Sequence, residues 1–144
     1  MNTAPQRLRL LLGGDAMTGR GLDQVLRRPV DPTLHEPWVR DARDYVRLAE
    51  ATSGPIGRGL PDEAPWGVAL ERLRAPDVTL RLVNLETAIT ARGEPWPGKG
   101  IHYRMHPVHV GVLTGAGLDG CALANNHVLD WGPDGLRDTL RALA

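Results

Sequence analysis

An α/β fold built on a parallel sheet is the class this sequence predicts, and three features predict it. Apolar runs of strand length recur at residues 7–14, 78–85 and 118–124. Segments of helical period separate them, so strand and helix alternate. Each strand run stops in a polar turn: Gly14-Asp15, then Asn84-Leu85-Glu86-Thr87, then Asn125-Asn126-His127. Parallel strands joined by crossovers carry such turns along one edge of the sheet, where ligands bind in open α/β folds.

The elements run in chain order. Residues 7–14 alternate and then run apolar into Gly13-Gly14-Asp15, a strand entering a tight turn. Residues 36–51 read as a helix, with Trp38, Val39, Ala42, Tyr45, Val46 and Ala49 forming one apolar stripe. Proline and glycine mark residues 54–65 as a loop, and residues 66–74 read as a second helix. In residues 78–85, Val78, Leu80 and Leu82 face one way, and Val83 and Leu85 the other. Residues 93–100 are turn-rich, and residues 107–114 read as a short helix ended by Gly115. A third strand spans residues 118–124. A final helix over residues 132–144 has Pro133 in its first turn and Leu136, Leu140 and Leu143 on one face.

The 144 residues fit a single domain, 1–144, with a real core. Seventeen basic residues balance 17 acidic ones, so no global field points to nucleic acid or an anionic membrane. Phe is absent, so Leu, Val and Trp must fill the core. Cys121 is the single cysteine, which excludes an internal disulfide, and its apolar strand predicts a buried small hydrophobe. No run approaches the ~20 apolar residues of a membrane span, and residues 8–12 are too short for a signal peptide's apolar region. A chain without a membrane span, in the cytoplasm, is the expectation. The last helix reaches Ala144 without a stop signal, and three strands are few where about five or six are usual. The expected unit is therefore the N-terminal part of a larger sheet domain.

If the three strands are parallel neighbours, Asp15, Glu86 and Asn126 bring three oxygens toward one spot. Two carboxylates held together repel, and a cation resolves the repulsion. Oxygen donors suit Mg, Mn or Ca, and an imidazole widens the range to Zn, Fe or Ni. The alternative is local: Asp15 steadies its own turn, Glu86 caps the next helix or turn, and Asn125, Asn126 and His127 satisfy loop backbone. Arg20, after the first turn, and Arg104, in the cluster Lys99, His102, Tyr103 and Arg104, suit an anionic substrate. His102, His106 and His109 lack a clean metal-ligand spacing with an acidic partner. The four tryptophans read as packing. Asp130 is placed to hold His127 in one tautomer.

Three ordered motifs carry a family resemblance across essentially the whole chain: Gly14-Asp15-Ala16-Met17-Thr18-Gly19-Arg20, Asn84-Leu85-Glu86-Thr87-Ala88-Ile89-Thr90, and Ala124-Asn125-Asn126-His127-Val128-Leu129-Asp130-Trp131-Gly132. Together they resemble the CapA family of bacterial capsule and poly-gamma-glutamate biosynthesis proteins, which is similar to calcineurin-like metallophosphoesterases. The resemblance implies a four-layer α/β/β/α sandwich, of which this chain would form the N-terminal part. It implies a divalent metal ion (Mn, Mg, Fe or Zn) held by Asp15, Glu86 and Asn126. It casts His127 as the catalytic histidine that donates to a substrate oxygen or protonates a leaving group. Asn125, with Arg20 and Arg104, would face an anionic small molecule or polymer. Two positions depart from the phosphoesterase pattern: Met17 stands where a histidine ligand is usual, and Glu86 replaces an aspartate. The implied reaction is metal-assisted hydrolysis or transfer at a phosphoryl or acyl centre. Two rival readings are a non-catalytic assembly or binding component of the polymer machinery, and a metal-dependent phosphoesterase unrelated to capsule.

Overall fold

In a computed structural model that describes residues 7–144, strands β1 (Leu10–Ala16), β2 (Leu80–Leu85) and β5 (Gly120–Ala122) form one sheet in the order β1-β2-β5. Both pairings are parallel, as the alternation of elements predicts. The crossover from β1 to β2 carries α1 (Gly21–Val25), α2 (Ala42–Ser53) and α3 (Ala69–Leu73). The return from β2 to β5 carries β3 (Ala88–Ile89), β4 (Arg104–Met105) and α4 (Gly111–Gly115), and α5 (Gly132–Leu143) comes last. Strands β3 and β4 pair, again parallel, as a separate two-stranded sheet.

The Gly13-Gly14 pair is not the tight turn expected of it. Strand β1 continues through it to Ala16, with a bulge: Leu12 lies opposite Leu82, but Asp15 lies opposite Asn84. Two residues of β1 thus face one of β2. Without that shift Asp15 would sit opposite Leu85, on the other face of the pleat. Glycine suits the position, because a Cβ on Gly13 would stand 3.0 Å from Cγ1 of Val83.

The core lies on the face of the sheet that carries Leu85, where Ile89, Met105 and Leu113 pack with it. Leu118, Cys121, Leu123 and Ala142 close around them. Cys121 packs there but is half-buried rather than buried as expected, and burial pushes its thiol pKa up.

Several helices differ from expectation. Helix α2 begins at Ala42, because Asp41 caps it by accepting from the Arg43 amide at 2.8 Å. Residues 36–41 therefore lie outside the helix, and Trp38 is exposed rather than part of an apolar stripe. The segments expected as helices at 66–74 and 107–114 each split into a 3-10 turn and a short α-helix. Helix α5 docks through Gly135 and Thr139, while Leu140 of the expected leucine face is exposed. The approach there is close: a Cβ on Gly135 would lie 3.4 Å from Cγ2 of Thr90. Thr139 accepts from the Ile89 amide at 2.9 Å, which ties the helix to β3.

Candidate functional site

The three polar motifs meet at one edge of the main sheet, and Asn84 is the residue that joins them. Its Nδ2 donates to Oδ1 of Asp15 at 2.8 Å and to Oε2 of Glu86 at 2.5 Å. Its Oδ1 accepts from Nδ2 of Asn125 at 2.9 Å. Asn125 also donates to the Leu85 carbonyl at 2.9 Å and accepts from the His127 amide at 3.0 Å. Backbone groups, whose polarity is fixed, thereby orient Asn125. Asn125 in turn orients Asn84, so that an amide N–H₂ faces the two carboxylates.

His127 is buried and clamped on several sides. Its Nδ1 donates to Oδ2 of Asp130 at 2.6 Å, and the Tyr103 ring stacks on it with centroids 4.1 Å apart. Asp130 is fully buried; it also accepts from the Tyr103 amide at 2.6 Å and pairs with Lys99. Lys99 in addition donates to the Asn126 carbonyl at 2.6 Å. With Nδ1 committed to Asp130, Nε2 is the free nitrogen, and it lies 3.9 Å from Oε1 of Glu86. Asp130 thus sits where it fixes the tautomer and orientation of the imidazole.

The sequence candidates are placed unequally. Asp15, Glu86, Asn125 and His127 come together. Asn126 is exposed beside them and is tied to Lys99 through its backbone oxygen. Among the described residues no group of three or more His, Cys, Asp or Glu side chains is disposed to hold a metal ion. The chemistry of the donors still suits a hard cation. Two carboxylates share one neutral amide donor, with His127 as the nearby basic group, and an oxygen-binding cation would balance their charge.

Arg20 pairs with Glu36 at 2.8 Å, and its guanidinium lies 4.0 Å from the Tyr45 ring and 5.3 Å from that of Tyr103. Tyr45 donates to Glu36 at 2.5 Å. The Arg20 charge is therefore engaged inside the protein. A left-handed backbone at Gly19 and Arg20 makes this possible, with φ of 89° and 51°. Arg104 lies with its guanidinium 3.8 Å over the Trp131 ring. Burial pulls its pKa down, while Asp31 and Asp23 act in the opposite sense.

Three partners lie outside the candidates that the sequence marks. Asn84 stands two residues before Glu86, hence on the same strand face, and that spacing is the available signal. Tyr103 is visible in the sequence only as part of a polar cluster. Glu36, fully buried against Arg20, carries no local signal, because its partner is 16 residues away.

Residues 9–144 match the family model described as bacterial capsule synthesis protein PGA_cap. In two strains of Mycobacterium tuberculosis, proteins named "Probable polyglutamine synthesis accessory protein" are 50% identical over 140 residues, which is 97% of this chain. The chain spans 37% of the length of those relatives. An uncharacterized protein of Sinorhizobium fredii is 39% identical over 79 residues, or 51% of this chain and 17% of that protein. No helix among the described residues is long and apolar enough to cross a membrane. The ordered strand-end motifs, the family match and the relatives agree, and the chain belongs to the bacterial capsule synthesis family PGA_cap.

Proposed function

We propose that this chain carries the metal-binding edge of a metallophosphoesterase-like domain that serves polyglutamate or capsule polymer synthesis. In this reading the chain is part of one four-layer α/β/β/α domain. The single observation that supports it best is the convergence of Asp15 and Glu86 on Asn84 beside His127. Asp15 and Glu86 would hold a divalent cation, with Asn126 as the nearby amide. When bound, such an ion supplies charge neutralisation and polarises a phosphoryl or acyl oxygen. His127 would present Nε2 to a leaving-group oxygen, because Asp130 occupies Nδ1. Asn125 keeps Asn84 and the His127 backbone in place, and the substrate is anionic. The reaction class is hydrolysis or transfer.

Titration of the metal-free chain with Mn²⁺, measured by calorimetry, tests the reading. Saturable binding should weaken by about tenfold or more in Asp15→Ala and in Glu86→Ala. Binding that is unchanged in both variants would remove the metal site. Met17, in place of a histidine ligand, favours a second reading: an assembly component that keeps the fold and binds polymer without turning it over. Metal binding without hydrolysis of a generic phosphodiester would favour that alternative.

A further inference from the structure

A cavity of about 420 Å³ is lined in part by Arg20, His35, His102, Arg104 and Trp131, and His127 is not among its lining residues. Its volume falls in the range of small-molecule sites, roughly 300–1,000 Å³. Arg104 is the unusual member. Its guanidinium is partly withdrawn from water, stacked on Trp131, and forms no ion pair among the described residues. The indole offsets part of the cost of withdrawing that charge. It covers one face of the guanidinium and leaves the N–H edge available.

The acidic residues of the wall are committed elsewhere. Asp23 accepts from His109 at 2.8 Å and from the His106 amide at 3.1 Å. Asp31 accepts from the amide and hydroxyl of its own turn residue Thr33, at 3.0 and 2.7 Å. Arg20 is neutralised by Glu36. His102 bears on which anion fits. His102 is 7% exposed; its Nε2 donates to the Trp96 carbonyl at 2.7 Å, and its buried Nδ1 has no hydrogen-bond partner. A buried nitrogen without a partner is uncommon and calls for an explanation. His102 lines the cavity; with Nε2 donating, its Nδ1 is an acceptor, which the O–H of a hydrogen phosphate can satisfy and a carboxylate cannot.

We infer that this cavity is an oxyanion-binding site, in which the Arg104 fork, held flat on Trp131, receives a carboxylate or phosphate group beside His102. The inference refines the anionic-substrate reading above and rests on it for the choice of one probe. Carboxylate and phosphate present the same paired oxygens to a guanidinium, so the two sources are separated by experiment.

The test is a titration of the ¹⁵N-labelled chain in metal-free buffer, in one arm with inorganic phosphate and in the other with γ-glutamylglutamate. The Arg104 Nε–Hε and Trp131 indole resonances are monitored. A saturable shift in either arm supports the site, and the arm that responds names the source. Arg104→Met, which keeps the apolar stem over Trp131, should lose about tenfold or more in affinity, while the exposed Arg137→Gln should not. Should Arg104→Met unfold the chain, Arg104→Lys keeps charge and stem without the fork, and it should also bind more weakly. No saturable shift in either arm overturns the inference, as does unchanged affinity in the Arg104 variant that folds. The phosphate arm needs neither metal nor polymer, so its failure leaves the metal reading standing.

Discussion

Asn125 shows how a residue that reads as a ligand can act by aiming its neighbours. Both ends of its amide are fixed by backbone groups, the Leu85 carbonyl on one side and the His127 amide on the other. Asn84 has no such choice left, so its N–H₂ faces Asp15 and Glu86. Asn125→Asp would put an acceptor against the Leu85 carbonyl and Oδ1 of Asn84. The expected cost is about 1–3 kcal/mol, read from urea unfolding, because two acceptors would be left facing each other. A loss under about 0.5 kcal/mol would mean that the amide chain is not what holds this edge. At this scale much of the site is legible in the sequence. Asp15, Glu86, Asn125 and His127 each stand in a polar motif after an apolar run. The Arg20–Glu36 pair is not, because long-range pairing leaves no local pattern.

At the scale of elements, period predicts type better than it predicts which face docks. The three strands are visible as apolar runs, and Pro133 marks the start of α5. The leucines of α5 nevertheless do not form its docking face; Gly135 and Thr139 do. Close packing selects small residues, and a hydrophobic count cannot reveal that. The bulge in β1 is hidden for a related reason: two glycines read as a turn, whereas the strand passes through them. Two substitutions separate the readings of α5. Thr139→Val removes the acceptor of the buried Ile89 amide and should cost about 1–3 kcal/mol. Leu140→Ser, on the exposed face, should change stability by about 0.5 kcal/mol or less. Equal losses in thermal or urea unfolding would show that the leucine face is buried after all.

For the whole molecule, the β1–β2 crossover is locked to the segment before α4 by His109, and the lock's own contribution to stability depends on pH with a definite sign. His109 is 1% exposed, with Nδ1 at 2.8 Å from Asp23 of α1 and Nε2 at 2.9 Å from the Arg28 carbonyl. Burial pulls its pKa down, but the Asp23 carboxylate and the Arg28 carbonyl more than offset this and leave it raised above 6.5. Both ring nitrogens face acceptors, so the doubly protonated ring satisfies both. A raised folded pKa contributes stability that is fully present below about pH 6.5 and is lost as pH rises through the folded value. His35 and His106 act in the opposite sense, since burial lowers both. Their contribution is present above about pH 6.5 and is lost as pH falls through their depressed values. The raw stability profile therefore mixes the two, and the informative quantity is the difference between the wild-type chain and His109→Gln. That difference should be full below about pH 6.5 and shrink as pH rises through the raised folded value in urea unfolding series, because only one of the pair carries the titrating ring. A difference that stays flat across the window, or grows with pH, would mean that His109 is held neutral and that the lock is an ordinary hydrogen bond.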